Sequence, residues 1–194
     1  MKKLIIGSSV GAIILFIWSF LSWAILPMHQ HAFMYNPAMS TVMQTLADSN
    51  VATGTYLYPM ADNRNVSGFD SKYQEESQQV AQANVGKPAI VIHYIQEGYN
   101  MNAFTILRGL LFNFMAVFAA CLILIPGFKN ANSFFGRWWL TLLVGVVICA
   151  ASPLINYNWM GTTWDFTVEM IVDILVNWSI VGLWFAFYFK NKTA

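Results

Sequence analysis

The chain has 194 residues, 57% of them hydrophobic and 10% charged, with a formal net charge of +1. So apolar a composition at nearly zero charge excludes the basic footprint of a nucleic-acid-binding protein and points to an integral membrane protein. Cys121 and Cys149 both fall in apolar runs and differ in depth by about 9 Å at ~1.5 Å per residue, so no disulfide is expected between them.

Residues 4–26 form the first element, an uncharged run longer than the ~18 residues that mark a membrane span. Lys2 and Lys3 before it, and Ser22, Trp23 and Ala24 near its end, imitate a secretory leader. The run exceeds the roughly 7 to 15 residues of a leader core, so an uncleaved signal anchor is expected.

Residues 27–101 follow as a small α/β extracytoplasmic domain. At its start Met28, His29, His31 and Met34, with Met39 and Met43 beyond, gather thioethers and imidazoles. Such soft and borderline donors suit copper, Cu(I) above all, and His93 is the candidate further ligand. No other cofactor is implied. More plainly, Met39 and Met43 line a helix face, Met28 lies among headgroups, and His93 is buried beside Val91 and Ile95 on a strand.

The remainder of this domain reads as helix, strand, helix, strand. Asn36 caps a helix with Pro37 in its first turn and Met39, Val42, Met43 and Leu46 on one face. Gly54 to Pro59 is a short strand, and 61–69 a polar loop. Ser71 with Gln74 forms a capping box for a polar helix that stops at Gly86, Lys87 and Pro88. Ala89 to Gln96 is the second strand. The sequon Asn65, Val66, Ser67 is too common a triplet to carry weight. Two strands and two short helices bury little surface, so this domain must lean on a membrane, a neighbouring loop or a partner.

Residues 102–127, 138–155 and 166–189 complete a four-helix transmembrane bundle. Glu169, Asp173 and Asn177, at i, i+4 and i+8, form one stripe on the last helix. Arg108, one or two turns into the second helix, is the natural partner of Asp173 or Glu169, and Asn113 the partner of Asn177. An interhelical clamp is expected, because a proton or ion relay would need further carboxylates deeper in the membrane. Thr141, Gly145 and Cys149, and Gly7 and Gly11, are close-packing ridges, and most of the tryptophans serve as interfacial anchors. Pro126 and Pro153 end or kink helices.

Cytoplasmic loops hold the Lys/Arg excess, which orients the bundle. Lys2, Lys3, Lys129, Arg137, Lys190 and Lys192 fall on one side with no acidic residue. Both termini are expected in the cytoplasm and residues 27–101 in the periplasm.

The segments Phe16 to Pro27, Gly54 to Pro59, Gly86 to Tyr94, Asn100 to Gly109 and Asp173 to Tyr188 resemble those of a family of small bacterial inner-membrane proteins with no assigned activity. The resemblance implies a bacterial setting and the four-helix plan, and transfers no site residue. With no nucleophile elbow, HExxH or other enzyme signature, a non-enzymatic accessory or scaffolding subunit is expected, with a membrane protein or a second copy as partner. Copper handling or small-solute or ion transport is the alternative.

Overall fold

Residues 1–66, 69–131 and 133–190 are described by a computed structural model that is 68% helical. Ser67 of the sequon and Lys192 of the basic side lie outside the described residues. Among the described residues four helices are long and apolar enough to cross a membrane, over Lys2–Ile25, Ala103–Phe128, Phe134–Met160 and Trp164–Tyr188. The chain divides into two compact units, Met1–Tyr35 with Asn100–Ala194, and Asn36–Tyr99.

In the first unit, α1 (Lys2–Phe20) runs into a π-helical turn at Leu21–Ile25, closed by Leu26 N–H donating to the Leu21 carbonyl at 2.8 Å. Leu26 is extended, and Pro27 opens a 3₁₀ turn, Pro27–His29. In the second unit lie α2 (Ala38–Asp48), β1 (Gly54–Tyr58), α3 (Ser71–Ala83) and β2 (Ile90–Tyr94). The first unit resumes with α4 (Ala103–Phe128), which starts where the Asn102 side chain accepts from Thr105 N–H, and α5 (Phe134–Ala151), where Ser133 accepts from Gly136 N–H. The third apolar run is two helices. Pro153 has no N–H to continue the ladder, so α5 ends and α6 (Pro153–Met160) begins anew. Gly161, at φ 67°, closes α6 in the left-handed conformation, and α7 (Trp164–Tyr188) follows.

α1 packs against α4 and α7, and α5 packs against α7. Leu15, Val117, Leu124, Phe128, Val181 and Phe185 are among the side chains buried at the centre. In lipid, helices gain little from hydrophobic burial against one another, so close fit and hydrogen bonds hold them. The expected ridges supply that fit. A Cβ on Gly11 would lie 2.7 Å from Val117 Cγ1, and one on Gly145 2.9 Å from Trp178 Cβ. Thr141 is fully buried, and Cys149 and Cys121 are buried free thiols.

In the second unit, β1 and β2 pair antiparallel from Gly54 opposite Tyr94 to Tyr58 opposite Ile90. Asn36 Oδ1 accepts from Ala38 N–H at 2.9 Å at the start of α2. The cap of α3 is Asp70, one residue before the Ser71 expected from the sequence: its carboxylate accepts from Lys72 and Tyr73 N–H. Asp70 has the extended backbone a cap needs, whereas Ser71 is already helical. Outside the helices, the Arg64 guanidinium bonds the Asp62 carboxylate and holds its pKa at about 2. Among the described residues of this unit only Ala61 and Tyr94 are buried; α2 and α3 contribute none.

Candidate functional site: a polar line between the first and last helices

The acidic stripe of α7 faces α1 and the turns that follow it. Deepest is Asn177, whose Nδ2 reaches the Leu15 carbonyl at 3.5 Å while its buried Oδ1 has no partner. One turn toward the start of α7, Asp173 accepts a 2.7 Å hydrogen bond from Trp18 Nε1. One turn further, Glu169 Oε2 lies 3.6 Å from His29 Nδ1. That separation is too long for a hydrogen bond, and Glu169 Oε2 and both ring nitrogens of His29 are buried without a partner.

Local sequence explains how His29 arrives there. The π turn ends α1, extended Leu26 breaks away, and Pro27 at the head of the 3₁₀ turn brings the chain back onto α7. The His29 ring then stacks on Trp23, with centroids 3.9 Å apart and planes 12° from parallel. Phe33 follows at 6.2 Å from Trp23 and 5.8 Å from Phe166 on α7.

Arg108 does not join this line. It is exposed on α4, with its guanidinium 5.7 Å over the Phe104 ring, and forms no ion pair with Glu169 or Asp173. α7 turns its stripe to α1, and the indole of Trp18 takes the place expected of Arg108. Asn113 is half-buried on α4 and makes no hydrogen bond to Asn177, which is turned to the Leu15 carbonyl instead.

Of the expected copper ligands, Met28, His29, His31 and Met34 lie in the first unit. His29 is buried against Trp23, Met28 is half-buried, and His31 and Met34 are exposed. His93 belongs to the other unit, where it is exposed, contrary to the expectation of burial, with Nδ1 3.0 Å from Thr55 Oγ1 across the sheet. Among the described residues no three His, Cys, Asp or Glu side chains are grouped to hold a metal ion.

Chemically the line gathers two carboxylates, an imidazole, an indole and an amide at one end of the bundle. It does not continue. Beyond Asn177 on the same face Val181 and Phe185 are fully buried.

Sequence reasoning missed the inward donors. Trp18 continues the face of Gly7 and Gly11, and Trp184 that of Asp173 and Asn177, so helical spacing marked both. Trp184 Nε1 donates to the Gly7 carbonyl at 3.0 Å, and Trp138 Nε1 to the Ser179 carbonyl at 3.2 Å. Arg137, one turn before Thr141 on the small-residue ridge, is 5% exposed rather than a surface charge. It donates Nε–H to the Ala186 carbonyl at 3.1 Å and a terminal N–H to the Ala131 carbonyl at 2.9 Å, placing a cation at the negative end of α7.

Comparison with protein-family models, curated proteins and solved structures gives no match to this chain.

Proposed function

We propose that the chain is a non-enzymatic bacterial inner-membrane protein that serves as an accessory or scaffolding subunit of a larger membrane complex. The observation that carries this reading is the near absence of a core among the described residues of Asn36–Tyr99. α2 leaves Met39 and Met43 exposed and β1 leaves Tyr56, Leu57 and Tyr58 exposed. A two-stranded sheet with so little buried surface is marginal alone and gains stability by docking. The one-sided distribution of Lys and Arg supports cytoplasmic termini and a periplasmic 27–101. The segments that resemble small bacterial inner-membrane proteins support the setting.

Purification from membranes in mild detergent, followed by native mass measurement, tests this. The wild type is expected to carry a stoichiometric membrane-protein partner or a second copy. Met39→Gln with Met43→Gln alters exposed side chains and is expected to release that partner without lowering expression. A wild-type protein that is monomeric and partner-free overturns the reading.

A further inference from the structure

We infer that the bundle end built from the start of α1 and the last turn of α7 holds an anionic phospholipid, with the headgroup beside Lys3 and Lys190 and an acyl chain along Trp184 and Phe187. The two ammonium groups belong to one surface. Lys3 Nζ lies 5.9 Å from the centre of the Tyr188 ring and 5.8 Å from that of Phe189, while Lys190 Nζ lies 5.5 Å from that of Phe187. Trp184 joins these rings. Its indole stacks on Tyr188 at 4.7 Å, sits 6.5 Å from Phe187, and is tied to α1 by the hydrogen bond to the Gly7 carbonyl. The surface is charged at its rim and apolar below, where exposed Phe187 and Leu183 follow one another at one-turn spacing. An amphiphile matches both parts.

Charge selects which amphiphile. Among the described residues neither Lys3 nor Lys190 has a carboxylate within ion-pair distance. The carboxylates of this unit, Asp165, Glu169 and Asp173, all stand in the first half of α7, and even Asp173 lies about 22 Å before Tyr188 along the helix. Arg137, buried behind the patch, adds a further cation bonded to the Ala186 and Ala131 carbonyls. The end of α7 offsets only about half an elementary charge, so the excess is positive. A positive helix end orients a span whatever the lipid. Here the ring faces also hold the ammonium groups beside apolar surface, so a phosphate meets positioned donors where its chain meets Phe187. A zwitterionic headgroup brings its own cation to the same lysines and gains less.

Such binding needs neither a protein partner nor a particular orientation of the bundle, so it can fail while the accessory-subunit reading stands. The test titrates the full-length protein, freed of lipid in neutral detergent, with dioleoyl phosphatidylglycerol and separately with dioleoyl phosphatidylcholine, counting bound lipid by native mass spectrometry. Phosphatidylglycerol is expected to bind about tenfold more tightly or better. A lysine beside an anionic lipid surface is worth about fivefold in affinity, so Lys3→Gln with Lys190→Gln is expected to weaken phosphatidylglycerol binding by roughly 25-fold and to change phosphatidylcholine binding little. Lys3→Arg with Lys190→Arg keeps both charges and is expected to bind as the wild type does. Arg108→Leu, at the opposite end of α4 from Phe128 and its Phe189 contact, is expected to do the same. Inorganic phosphate at constant ionic strength is expected not to displace the lipid; displacement assigns the site to a free anion and overturns the proposal. Undiminished phosphatidylglycerol binding in the glutamine variant overturns it as well. So does equal affinity of the wild type for the two lipids, which decides even should the glutamine variant not fold.

Discussion

Trp18 and Asp173 show most directly what a single side chain does in this bundle. The carboxylate lies in a setting without a basic neighbour, and the indole N–H is its partner. Trp18→Phe keeps the ring and deletes that donor. A hydrogen bond to a charged group is worth up to ~3 kcal/mol in water-soluble proteins, but intramembrane contacts average less, so a loss of about 1 to 2 kcal/mol is expected in detergent unfolding. Adding Asp173→Leu is expected to recover most of it, because the orphaned carboxylate leaves with its partner. Arg108→Leu, in contrast, is expected to leave the melting temperature unchanged, since the guanidinium is exposed over Phe104. Helical spacing revealed the stripe of Glu169, Asp173 and Asn177 from sequence alone. Its partners were not legible, because periodicity tells which residues share a face and says nothing of which neighbouring helix that face meets.

At the scale of elements, the close approach of α5 to α7 depends on glycine. A Cβ on Gly182 would lie 3.0 Å from Trp138 Cδ1 and 3.2 Å from the Trp138 carbonyl oxygen, and that backbone atom cannot rotate aside. Gly182→Val is expected to cost about 1 to 3 kcal/mol by overpacking, read as a lower melting temperature and faster amide exchange along α5. The cap of α3 offers a second check: Asp70→Ala is expected to destabilise that helix by ~1 kcal/mol, seen as faster exchange of its first-turn amides, whereas Ser71→Ala is expected to change little. Sequence marked both features unequally. Four-residue spacing of Thr141, Gly145 and Cys149 identified the ridge, but Asp70 and Ser71 are adjacent and both able to cap. Only the extended backbone at Asp70 separates them.

For the whole molecule, hydropathy made the four spans legible, while their orientation rests on charge bias alone. Cysteines introduced at the exposed positions Ser71 and Asn158 are expected to react with an impermeant thiol reagent in intact cells, and one at exposed Asn130 is not. The native thiols are buried and add little background. Labelling at Asn130 would reverse the proposed orientation. The pairing of α1 with α7 also sets the order of events at the ribosome. Trp18 and Asp173 are 155 residues apart in the chain, and Gly7 and Trp184 are 177 apart. At ~5–20 residues per second, the first helix waits roughly 8 to 30 s for the last to be synthesised. Throughout that interval the Trp18 indole lacks the Asp173 carboxylate and the Gly7 carbonyl lacks the Trp184 indole. Nascent chains that stop short of α7 are expected to turn over faster in a pulse-chase measurement than the full chain, because α1 then has α4 to pack on but neither of its side-chain partners on α7.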